Sequence, residues 1–141
     1  TEIKFWEESL LKMKFYSLKV PTHLGKLNFK YIYKIIDKTE LQEAKGKGSY
    51  SGSLKDKQDG FIHFSGKEQV KGTLKKFYLN QNNLILLKVK TINLNHLIWE
   101  QASDGNMFPH LYSSLNLSNV IDEFEIILDE NGNHKLPNNL D

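Results

Sequence analysis

The sequence predicts an α+β domain with an antiparallel or mixed sheet and short helices. Three observations carry that reading. Short β-branched and aromatic runs recur along the chain, helix-capping patterns fall between them, and neither internal repeats nor a regular strand–helix alternation appears. At 141 residues the chain is long enough to bury a core without disulfides, and it contains no cysteine.

Taken in order, apolar residues at Phe5, Trp6, Leu10, Met13 and Phe15 with charges between them predict an amphipathic N-terminal helix. Pro21 and Gly25 end that pattern, so residues 1–30 read as an extension packed on a single domain spanning 31–141. Phe29 to Ile36 predicts the first strand. Asp37 and Glu40 have capping-box spacing and open a helix through Ala44. Gly46, Gly48, Gly52 and Gly60 then mark a long, mobile loop from which Tyr50 or Ser53 reaches a pocket; their spacing fits neither a Rossmann nor a P-loop pattern. Ser65 to Glu68 reads as a second capping box, with Val70, Leu74, Phe77 and Tyr78 as the helical stripe behind it. Leu84 to Val89, Leu97 to Glu100 and Val120 to Leu128 predict strands, the last followed by an Asn131-Gly132 turn and a short tail. Pro109 assigns its segment to an edge strand or a loop.

Composition excludes several chemistries. Without cysteine there is no thiolate catalysis, zinc ribbon or iron–sulfur ligation. Every basic residue is lysine, so no bidentate guanidinium clamp on phosphate can form. The net charge of +2, with lysines dispersed among acids, argues against a nucleic-acid partner. No apolar run approaches the roughly 20 residues of a membrane span. The first twenty residues fit neither a secretory signal nor a mitochondrial presequence, and with the missing cysteine this points to the cytoplasm.

Two segments set a histidine among hydrophobic neighbours: Asp59-Gly60-Phe61-Ile62-His63-Phe64-Ser65 and Phe108-Pro109-His110-Leu111-Tyr112. In an extended chain Phe61, His63 and Ser65 share one face while Ile62 and Phe64 take the other, so His63 faces a cleft or a polar core pocket. No close histidine pair or carboxylate at ligand spacing accompanies either one, which argues against a metal.

Together with Tyr31 to Ile35, Tyr50 to Ser53, Gln69-Val70 and Trp99-Glu100, these segments resemble the family called domain of unknown function 952, from about Tyr31 to about Ile127. The resemblance implies an ADP-ribosyltransferase-like fold, a split pair of small sheets gripping NAD. The Phe61 to Ser65 stretch also resembles the histidine strand of RNA 2′-phosphotransferases. There the sequence departs: Lys34 stands near the first cleft position, on the Tyr33 strand, where those enzymes carry a histidine, and their phosphate-binding arginines are missing.

Cleaving the glycosidic bond of NAD passes through an oxocarbenium-like ribose, which calls for aromatic walls, ribose hydrogen bonds and a nearby carboxylate. His63, His110 and Glu100 are the catalytic candidates, with His110 as acid–base group or as a structural donor, and Glu100 as the carboxylate or as a lysine partner. Tyr33, Lys34, Tyr50, Ser53, Ser65, Trp99 and Tyr112 are the candidates for binding NAD or another small nucleotide ligand. Ser65 reads as a helix N-cap rather than as a nucleophile. The alternative is a non-catalytic binding or regulatory module on the same fold. His23, His96 and His134 read as solvated loop or tail residues.

Overall fold

The computed structural model describes residues 30–138 and 140. The expected N-terminal helix lies outside them. The chain folds as α+β, and all strand pairings among the described residues are antiparallel. The elements are β1 (Tyr31–Asp37), α1 (Lys38–Lys47), β2 (Ser49–Tyr50), α2 (Leu54–Asp59), β3 (Ile62–His63), α3 (Val70–Phe77), β4 (Leu84–Lys90), β5 (Leu97–Gln101), β6 (Met107–Leu111), β7 (Leu115–Asn116), β8 (Val120–Leu128) and β9 (His134–Lys135). They form a four-stranded sheet β1-β4-β8-β9, a three-stranded sheet β3-β6-β5 and a small β2-β7 pair. No described helix is long and apolar enough to cross a membrane.

β4 explains the architecture. Its run Leu84-Ile85-Leu86-Leu87-Lys88-Val89 is buried on both faces, Lys88 being its one charged member, and five apolar side chains in six residues leave water only in that way. Ile85, Leu87 and Val89 join Ile32 and Ile36 in one core, which Ile62, Phe64 and Leu111 of the three-stranded sheet close from the other side. Leu84 and Leu86 face a second core with Tyr33, Ile35 and, from α3, Val70 and Leu74. Backbone hydrogen bonds between Tyr33 and Ser65, 2.8 Å in both directions, stitch the two sheets together beside the cleft.

Three expectations are corrected here. The glycine-rich stretch is not a long loop: α1 runs through Gly46, and α2 follows with Ser53 as its N-cap in a capping box with Asp56. The α2 sequence Leu54-Lys55-Asp56-Lys57-Gln58-Asp59 has no apolar stripe, because the one side chain it buries is a carboxylate. Next, Ser65 does not cap the following helix. The turn opens at Gly66, whose N–H donates to Gln69 Oε1 at 2.8 Å, while Ser65 Oγ pairs with Thr73 Oγ1 at 3.1 Å. Finally, Pro109 lies in the central strand of the three-stranded sheet. Its carbonyl accepts from Phe64 N at 3.0 Å, so its backbone polar atoms face β3, and its pairing with Trp99 on β5 needs no hydrogen bond from the missing N–H.

Gly52 connects the fold to the site. Its φ of +105° disfavours any side chain, and a Cβ there would stand 2.7 Å from Asp56 Cβ. Gly52→Ala is therefore expected to cost about 1–3 kcal/mol of stability and to disturb α2 first. Denaturant unfolding and amide exchange across residues 53–63 check this.

Candidate functional site

β3 and β6 bring the two histidines together. His63 pairs with His110 in register. Because Phe64 N bonds Pro109 O, the alternation of an antiparallel ladder makes His63–His110 a non-hydrogen-bonded pair, the geometry in which opposite side chains approach most closely. The rings stand edge to face with centroids 5.5 Å apart. Phe61 stacks on His110 at 3.9 Å between centroids and also meets His63 at 4.6 Å. The same pairing turns the His63 N–H outward, where it donates to Asp56 Oδ1 at 3.2 Å.

Asp56 is 2% exposed, and both its oxygens are satisfied. Oδ1 meets His63 Nδ1 at 2.5 Å in addition to the backbone N–H. Oδ2 accepts from Lys34 Nζ at 3.0 Å and from Ser53 N at 2.9 Å. Burial pushes this carboxyl up, but the His63 hydrogen bond, the Lys34 charge and the Ser53 N–H outweigh it and hold Asp56 well below the usual carboxylate range. Burial lowers the Lys34 ammonium from its ordinary value, opposed by Asp56 beside it. His63 has a second carboxylate neighbour, with Nε2 at 2.9 Å from Asp59 Oδ2.

The second histidine is backed in the same way. His110 Nδ1 lies 2.9 Å from Glu100 Oε1, which also accepts from the Tyr112 hydroxyl at 2.5 Å. Glu100 is 1% exposed. Burial and the Glu100 carboxylate push the Tyr112 phenol far up, so it stays a donor.

Both histidines line a cleft of about 750 Å³ bordered by β1, α2, α3 and the three-stranded sheet. Tyr33, Lys34, Ser53, Ser65 and Glu100 also line it. The Tyr33 hydroxyl donates to the Leu140 carbonyl at 2.9 Å. Tyr50 and Trp99 are not among the lining residues. Tyr50 is buried in the main core, where burial pushes its phenol up, and Trp99 packs against that core from the opposite face of the sheet. Tyr112 reaches the site through Glu100 and through Phe61, 5.1 Å away. Of the histidines read as solvated, His134 pairs its Nε2 with the Gln81 carbonyl at 2.7 Å, and His23 lies outside the described residues.

Sequence reasoning missed Asp56 and Asp59. The Ser53-x-x-Asp56 capping pattern was the available signal, hidden by the surrounding glycines. No group of three or more His, Asp or Glu side chains among the described residues is arranged to hold a metal. These carboxylates instead hydrogen-bond the imidazoles.

A family model described as "Protein of unknown function (DUF952)" matches residues 35–123. The crystal structure of protein CC0527 from Caulobacter crescentus is similar, with a TM-score of 0.71 at 42% identity over 74% of this chain and 93% of that one. Its solution NMR structure gives a TM-score of 0.65 at 43% identity over 72% and 89% of the two chains. No curated protein matches the chain.

Asp56→Asn removes the counter-charge of a buried lysine and is expected to cost about 3–5 kcal/mol. Because the folded-state pKa of Asp56 is depressed, its ionisation stabilises the fold fully above about pH 4, and that contribution is lost as the pH falls further toward the folded value. Urea unfolding between about pH 7 and pH 3 checks both effects: Asp56→Asn starts lower and loses less stability on acidification than the parent.

Proposed function

The chain belongs to the DUF952 family, and we propose that its cleft binds NAD or a closely related nucleotide and cleaves or transfers at the ribose–nicotinamide bond. One observation carries this reading: two imidazoles, each backed at Nδ1 by a buried carboxylate, meet on one wall of one cleft. The division into two sheets with the cleft beside their junction supports the ADP-ribosyltransferase-like fold. So does the charge of the lining. Asp56, Asp59, Glu68, Glu100 and Asp104 outnumber Lys34, Lys55 and Lys76, and such a field favours a ribose that becomes cationic as nicotinamide departs.

In this mechanism the bond from ribose C1′ to the nicotinamide nitrogen breaks, and its electron pair leaves with nicotinamide. Water or an acceptor hydroxyl adds to C1′, and its proton passes to His110 Nε2. Glu100 and Tyr112 are positioning residues, since their hydrogen bonds hold His110. Phe61 supplies the aromatic wall. Ser53 and Ser65 line the pocket close to His63 and are the remaining contacts proposed for the ligand.

A second reading rests on Lys34. This side chain on β1 is committed to Asp56, and the strand carries no histidine, which suits a binding module without chemistry. The test is an amide NMR titration with NAD combined with a nicotinamide-release assay. Coincident, saturable shifts around His63 and His110 are expected, with His110→Gln reducing release by roughly 10²–10⁴-fold and changing binding much less. Binding without release establishes the module instead, and silence in both segments overturns the nucleotide reading.

A further inference from the structure

We infer that Asp59 is a displaceable stand-in for a ligand oxyanion, and that a phosphate group binds in its place between His63 Nε2 and Lys55 Nζ. The inference rests on the nucleotide reading of the cleft and locates that ligand's phosphate. A single atom, Asp59 Oδ2, lies 2.9 Å from His63 Nε2 and 3.4 Å from Lys55 Nζ. Both ring nitrogens of His63 thus face carboxylate oxygens. The two carboxylates are not equivalent. Asp56 is sealed in by four hydrogen bonds and has a side-chain exposure of 2%, whereas Asp59 has 35% and Lys55 63%.

Asp59 can therefore swing into water without leaving a buried charge behind. The helix does not hold it, because a carboxylate at the last residue of α2 opposes the helix dipole. Its contacts with His63 Nε2 and the Lys55 ammonium keep it in place. An oxygen of a phosphate in the same position lies within reach of the same two nitrogens, and Asp56 continues to fix the His63 ring. In a chain without arginine, a histidine and a lysine on cleft-lining elements supply the anion contacts.

Inorganic phosphate is the probe, titrated into the parent protein and variants at low ionic strength and followed by the amide signals of residues 53–63. Asp59→Asn keeps the side-chain shape, removes the competing charge and is expected to tighten phosphate binding about tenfold. Glu68→Gln removes the same charge elsewhere on the cleft lining and is expected to change affinity less than about twofold. Adding Lys55→Gln to Asp59→Asn is expected to abolish the gain. An unchanged affinity in Asp59→Asn, an equal gain in Glu68→Gln, or a gain that survives Lys55→Gln overturns the inference. A parallel NAD titration separates the two readings. NAD shifts without a phosphate gain refute the stand-in and leave the nucleotide cleft intact, while a phosphate gain without NAD shifts keeps the oxyanion site and refutes the nucleotide.

Discussion

The buried carboxylate of Asp56 is the constraint on which the site depends. Its four hydrogen bonds reach β1 through Lys34, the start of α2 through Ser53, and β3 through both the backbone and the ring of His63. An ionised carboxylate out of water is tolerable only when fully paired, so each partner is held where the charge requires it. Gly52 belongs to the same arrangement, since its lack of a side chain is what lets the chain turn against Asp56.

The three-stranded sheet does the complementary task. Its alternation sends Ile62, Phe64 and Leu111 into the core and His63, His110 and Glu100 to the cleft wall. Placing the histidines at a non-hydrogen-bonded pair brings their rings close and frees the His63 N–H for Asp56. The two histidines then differ in their surroundings. His63 is flanked by Asp56 and Asp59, while His110 shares Glu100 with Tyr112 and lies under Phe61. The proposed roles, proton transfer at His110 and charge recognition at His63, rest on that difference.

Much of this was legible in the residues. Dense leucine and β-branched content located β4, which is buried on both faces, whereas β8 was legible from β-branched residues alone, since Ile126 is its one buried side chain. The alternation around His63 correctly assigned the two faces of its segment, since period two depends only on the chain being extended. What escaped was nonlocal. α2 exposes its one apolar residue, Leu54, and the side chain it buries is a carboxylate paired with Lys34, a residue 22 positions away. Pro109 looks like an edge signal until the register shows that its missing donor faces away from β5. Tyr50 sits in a glycine-rich stretch, yet its pairing with Leu115 on β7 draws it into the core.

The site depends on both imidazoles being held at Nδ1 by buried carboxylates. Nitrogen-15 correlation spectra of the histidine side chains observe this directly at neutral pH. The predicted result is a protonated Nδ1 in both His63 and His110, with the proton protected from exchange and its signal lost in Asp56→Asn for the first ring and Glu100→Gln for the second. An Nε2-only tautomer at His110, or free solvent exchange at either Nδ1, would contradict it.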